Sequence, residues 1–272
     1  MRTLRSVSLW VGVGALVAVA CAKVPYTGRR QFNLIPNSLM MGVGKSSYAS
    51  MLGEVRVKKK GPENEVLQRV GRRISQSAKQ PDFAWEYSLI DSEEVNAWCL
   101  PGGYIGFYTG ILPVLENEAG MAFVMGHEVA HATAHHGAER MSQQLTLIGG
   151  LAGLEIYMAN RTELKPAQRA AILGALGVGG TLGVLLPFSR THESEADVIG
   201  MMYMSKSGYP PNESIAVWDR MAELSPNNVP TFLATHPSHE KRKENLREWL
   251  PTARKRYERN QRPGDARSTL WR

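Results

Sequence analysis

The sequence predicts a mainly α-helical fold that carries a small antiparallel β-sheet, and three observations support this. Glu63 to Ala78 places Val66, Val70 and Ile74 four residues apart, with Leu67 beside them and charges elsewhere, which is the period of an amphipathic helix. Trp85 to Tyr108 is rich in aromatic and β-branched residues and is interrupted by Pro101-Gly102-Gly103. It reads as two or three short antiparallel strands joined by a tight turn. A long helical pattern then runs from about Glu116 to Gln143.

The chain has 272 residues, 43% hydrophobic and 21% charged, a globular balance with enough apolar material for one sizeable core. We expect one main domain over 61–250, after a leader over 1–20 and a tether over 21–60. A basic helix end and tail over 251–272 would follow it. The net charge is +7, but the basic residues gather at Lys58, Lys59 and Lys60 and in a series from Arg254 to Arg272. A solvated helix face and a loose tail explain both groups. No nucleic-acid motif accompanies them, so nucleic acid is not an expected partner.

The leader places Arg2 and Arg5 ahead of an uncharged run from Ser6 to Ala20, with small residues directly before Cys21. That is the layout of a secretory signal. It resembles a bacterial lipoprotein signal, which implies cleavage before Cys21 and a lipid on that cysteine. Ala22 in the next position implies an outer-membrane destination in the cell envelope, facing the periplasm. Cys99 would then be left alone in an oxidising compartment, and it reads as a buried, inert thiol.

Leu145 to Leu186 is apolar and rich in Gly and Ala, and its last part, Ala170 to Leu186, has no charge. The glycines, and a length at the lower limit for a membrane span, point to a helix packed in the core or a flap over a cleft. Membrane contact is the alternative. A helix from about Arg190 to Ser207 stops at Gly208, before Pro210 and Pro211. Two more helices are expected, at Asn212 to Leu224 and at His239 to Arg259, the second bent near Pro251.

The chemistry lies in Gly126-His127-Glu128-Val129-Ala130-His131, an HExxH pattern in a helical context. Residues four apart on a helix differ by one turn plus about 40°, so both imidazoles leave one face and can converge on one ion. Glu128 stands about 100° round from His127, close enough to polarise a water at that ion. Neutral imidazoles suit zinc, and three protein ligands leave one position open. His127 and His131 are therefore expected as ligands and Glu128 as the general base.

A metzincin third ligand is excluded, because Ala134 and Gly137 stand where that pattern needs Gly and His. The other common solution is a carboxylate from a downstream helix, and Thr191 to Asp197 offers Glu193 and Asp197 on one face, with Glu195 pointing away. His135 would sit about 6 Å farther along the axis from His131. It is expected to be structural, as is His136, while His192 and His239 are expected as surface or hydrogen-bonding residues.

With these residues in view, the sequence resembles the zinc metalloendopeptidases related to the CAAX prenyl protease and to the Oma-type and HtpX-type quality-control proteases. Glu193-Ser194-Glu195-Ala196-Asp197 matches their Glu-x-x-Ala-Asp motif. This implies a gluzincin-type site with Glu193 as third ligand of one Zn(2+) ion, and Asp197 behind the site orienting a ligand histidine. Asn96-Ala97 ahead of Pro101-Gly102-Gly103 resembles the family's edge strand, where a substrate would add as a further strand. Thr235-His236-Pro237 with Arg242 resembles its His-Pro motif.

That motif puts His236 beside the metal, either steadying the transition state or ligating zinc in a latent form; no role follows for Arg242. Val24 to Gln31 resembles the mature N-terminus of the short LoiP-like periplasmic lipoprotein members. The implied function is zinc-dependent endopeptidase action on misfolded or misassembled envelope proteins, with envelope assembly machinery as a partner. A chaperone or assembly factor with little proteolysis is the alternative.

Overall fold

Residues 118–130 are all buried, so the helix that carries them is the centre of its part of the fold. The computed structural model describes residues 21–161, 164–180, 186–224, 230–237 and 240–261. The leader over 1–20, His239, and Arg262, Arg267 and Arg272 of the tail lie outside them. The chain folds into two compact units, Ser38–Ala134 with Arg190–Arg272, and Met1–Asn37 with His135–Ser189.

In the first unit, helices α1 (Asn37–Glu54) and α2 (Pro62–Ala78) precede three strands, β3 (Glu86–Ile90), β4 (Ala97–Leu100) and β5 (Tyr104–Tyr108). A 3-10 turn and the short α3 (Leu112–Leu115) lead into the central α4 (Glu118–Thr133). After α7 (Leu186–Lys206) come α8 (Glu213–Glu223), α9 (Thr231–Thr235) and α10 (Glu240–Glu258), the last with Pro251 inside it. Against α4 pack α2, α8 and β4. Helix α2 opens with Pro62 and carries Glu63 and Glu65 in its first turn, a favourable start for the backbone and the helix dipole. It buries Leu67, Val70 and Ile74, while Val66, which the sequence period also places on this face, is half-buried.

The sheet is mixed, where the sequence reading has it antiparallel. Its order is β3-β5-β4, with β3 parallel to β5 and β4 antiparallel to β5. The turn Pro101-Gly102-Gly103 closes a β4–β5 hairpin, with Gly102 and Gly103 at φ 94° and 87°, a region that glycine enters without strain. The loop after β3 carries β4 one strand position away. The returning β5 therefore fills the gap and runs with β3.

The expected single helix from Glu116 to Gln143 is two. Helix α4 is capped by Asn117, whose side chain accepts the Gly120 N–H at 2.9 Å. The carboxylate of Glu118, in the first turn, accepts from the Arg69 guanidinium and, at 3.3 Å, from the Tyr209 hydroxyl. At the other end His135 takes φ 53°, a left-handed conformation that ends the helix. Helix α5 (His136–Arg161) begins at the next residue.

The second unit starts with the antiparallel pair β1 (Cys21–Lys23) and β2 (Arg30–Phe32). The segment expected as a tether is thus ordered. Arg29 donates in a fork to the buried Glu139 of α5, at 2.9 and 2.7 Å, and the Leu34 N–H donates to Ser142 Oγ at 2.9 Å. Helix α6 (Pro166–Gly180) packs along α5. Of the places expected for Ala170 to Leu186, core packing is not the one seen: Ile172, Leu176 and Val178 are exposed, and a Cβ at Gly174 would meet nothing within 4 Å. A run that is apolar on every side does not specify which side is buried, and part of it, 181–185, lies outside the described residues.

The start of α4 depends on Glu118. Glu118→Ala leaves the buried Tyr209 hydroxyl without its carboxylate acceptor and should lower stability by about 2 kcal/mol, measured by urea unfolding.

Candidate metal centre

Helices α4 and α7 touch through backbone. A Cβ added to Gly126 would lie 2.7 Å from the Gly200 carbonyl oxygen, and one added to Gly200 would lie 2.6 Å from the His127 nitrogen. Any side chain at either position would push the two helices apart. The absence of side chains at this crossing brings His127 and His131 of one helix within reach of Glu193 and Asp197 of the other.

Four donors converge there. His127 Nε2 lies 3.1 Å from His131 Nε2, and the carboxylate oxygens of Glu193 lie 3.4 Å from each of these nitrogens. His236, directly after α9, adds Nδ1 at 3.2 Å from His127 Nε2 and 3.0 Å from Glu193 Oε2. All four ligand atoms fall within 4.8 Å of one another. His127 Nδ1 lies 3.0 Å from the Asp197 carboxylate; in the neutral tautomer with its proton on Nδ1, Nε2 turns a lone pair toward two more ring nitrogens. Three imidazoles and a carboxylate turned toward one point suit a divalent cation, and this nitrogen and oxygen set suits zinc.

Asp197 sits behind this cluster, fully buried. It accepts from His127, from Arg242 Nε at 2.6 Å and Nη2 at 2.8 Å, and from Trp218 Nε1 at 3.3 Å. Arg242 is the functional residue for which sequence reasoning found no role. Its guanidinium lies 4.0 Å from the centre of the Trp218 ring and 3.3 Å from Glu193. It also donates to the backbone carbonyls of His236 and Pro237, at 3.3 and 3.1 Å. One buried side chain thus fixes the segment bearing His236, the carboxylate behind His127 and the ligand Glu193. The local sequence signal was only its spacing from His236.

The electrostatics follow from burial and these partners. Burial lowers His131 to about 3, which keeps it neutral with a lone pair to give. Burial opposes the charge on Asp197 too, but Arg242 and His127 outweigh it and hold the carboxyl below its ordinary value. Glu193 is likewise held far down, against burial, by His131, His127 and His236. His127 is raised: burial lowers it, and its bonds to Asp197 and Glu193 more than compensate.

Burial pushes Glu128 up to about 7. The Cys99 backbone N–H of β4 offsets part of that rise, while Oε1 is buried without a hydrogen bond. Across the site, His236 Nε2 lies 3.3 Å from Oε1. The Glu128 carboxylate therefore faces the donor cluster with an acceptor atom to spare.

Other expected residues fall elsewhere. Ala97 begins β4, an edge strand of its sheet, and Asn96 precedes it with its carbonyl accepting the Tyr108 N–H. Cys99 is half-buried, and desolvation pushes its thiol well above the ordinary value, which makes it inert. His135, His136, His192 and Glu195 are not among the converging donors; of the two places expected for His192, burial excludes the surface one. Cys21 opens β1, in the other unit.

Comparison with known proteins agrees with this geometry. Residues 62–250 match peptidase family M48. The mitochondrial metalloendopeptidase OMA1 of Schizosaccharomyces pombe is 32% identical over 256 residues, covering 92% of this chain and 73% of that protein. Its Saccharomyces cerevisiae counterpart is 32% identical, covering 87% and 71%. The β-barrel assembly-enhancing protease of Escherichia coli is 29% identical over 185 residues, covering 65% of this chain and 37% of that protein.

The helix crossing is testable apart from the ligands. Gly200→Ala should cost about 1–3 kcal/mol through overpacking and weaken zinc binding, read by thermal unfolding and by competition with a fluorescent chelator.

Proposed function

The chain is a metalloendopeptidase belonging to peptidase family M48, and on that premise we propose that it hydrolyses internal peptide bonds of misfolded or misassembled cell-envelope proteins. The observation that carries this reading is the convergence of His127, His131 and Glu193 beside a buried Glu128 with an unused acceptor oxygen. A relative named for enhancing β-barrel assembly supports the substrate class, as does a leader with the layout of a lipoprotein signal ending at Cys21. On this reading the lipid on Cys21 anchors the protein at the outer membrane, facing the periplasm.

His127, His131 and Glu193 would hold one zinc ion, which when bound supplies Lewis-acid polarisation of the scissile carbonyl and of the attacking water. Glu128 takes the proton of that water and passes it to the leaving amine. The outer edge of β4, from Asn96 to Leu100, receives the substrate as an added strand. Asp197 keeps His127 in the tautomer that leaves Nε2 free to ligate.

His236 is the residue with two candidate roles. Its Nδ1 is the fourth member of the donor cluster, and its ring stacks on Phe232 at 4.7 Å between centres. This favours the latent reading, in which His236 closes the site at rest and has to leave before a substrate carbonyl can enter.

Glu128→Gln should retain zinc and lose about 10²–10⁴-fold in cleavage of unfolded casein. If that variant still clears unfolded envelope proteins at the normal rate, proteolysis is not the main activity. His236→Ala should raise cleavage several-fold, with zinc retained by the other three ligands, in a turnover assay on the same substrate. A fall instead would assign His236 to the transition state.

A further inference from the structure

Helices α5 and α6 expose an apolar surface that no described residue of their unit covers. Leu145, Ile148 and Ile156 of α5 are exposed, as are Leu176 and Val178 of α6. Ile156 and its neighbour Tyr157 are 64% and 61% exposed although they point about 100° apart, so more than one side of α5 is bare. Gly149, Gly150, Gly153 and Gly174 border open space and therefore serve no close packing among the described residues.

The charges are sorted along the hairpin. Helix α5 has none from Met141 to Leu154 and α6 none from Ala170 to Gly180, stretches about 21 Å and 16 Å long. Glu139 and Arg140 lie on one side of the bare stretch of α5. On the other side Arg169 pairs with Glu155 at 3.2 Å.

We propose that this hairpin lies in one leaflet of a lipid bilayer. A surface bare on more than one side suits a fluid apolar medium, whereas a second copy of the chain would cover a single stripe. The charge-free stretches are shorter than the hydrocarbon core of about 30 Å, and no described helix is long and apolar enough to cross a membrane. The same unit holds the segment that leads to Cys21. That segment is fastened to the start of α5 by Arg29 on Glu139 and by the Leu34 N–H on Ser142. The hairpin supplies a membrane contact beside the one expected at Cys21. The inference rests on the reading of Cys21 as the membrane attachment point.

The test uses the full chain with Cys99→Ser, reconstituted in phosphatidylethanolamine and phosphatidylglycerol vesicles that contain a lipid with a nitroxide near the headgroup. An environment-sensitive fluorophore is attached at Ile148→Cys, at Leu176→Cys, or at Lys241→Cys in the other unit. Labels at 148 and 176 should shift to the blue and be quenched about threefold or more relative to 241. Equal, water-like emission at all three positions would overturn the proposal. So would shielding at 148 and 176 without lipid quenching but with energy transfer between copies, which would give the surface to a second copy of the chain. The chain without an introduced cysteine reads the anchor separately: an acylated Cys21 takes no label, and a free one does.

Discussion

The buried carboxylate of Asp197 is the constraint on which the rest of the site depends. Removing an ionised carboxylate from water costs several kcal/mol unless hydrogen bonds replace the lost hydration. Here His127, Trp218 and the two-pronged Arg242 supply them. These partners come from α4, α8 and α10, while Asp197 itself is on α7. Satisfying one charge therefore fixes four helices around a point just behind the donor atoms. Because Arg242 also holds the carbonyls of His236 and Pro237, the loop that brings in the fourth donor is tied to the same charge.

Two devices of different kinds set the geometry of the centre. The contact of Gly126 with Gly200 sets how close the helices come, through the hard repulsion of backbone atoms. The hydrogen bonds to Asp197 set how the His127 ring turns. Neither device uses the metal, so the protein's own packing prepares the ligands. Glu128 faces the same point, with Oε1 3.3 Å from His236 Nε2.

What the sequence revealed, and what it did not, divides by range. Leu67, Val70 and Ile74 announce α2 because a helix in contact with a core repeats its apolar face locally. The HExxH pattern announces two donors for the same local reason, while Glu193 and Asp197 were singled out by a motif and a resemblance. Arg242 gives no local sign of its role, since its partners come from α7, α8 and the His236 segment. The break at His135 was missed because histidine is not a usual helix stop. The parallel pairing of β3 with β5 depends on where a loop delivers β4, which alternation cannot show. The apolar run of α6 misled for a physical reason: composition reports a preference for leaving water, and a protein core and a lipid leaflet satisfy it equally.

The hairpin also lies between the metal ligands in sequence, since about 60 residues separate His131 from Glu193. The entropy of closing such a loop grows only logarithmically, so doubling its length would cost about 0.6 kcal/mol. The hydrolytic centre is therefore nearly indifferent to what is inserted between its two helices. Selection can lengthen, shorten or replace the insertion to suit a different bilayer or partner while the chemistry stays as it is.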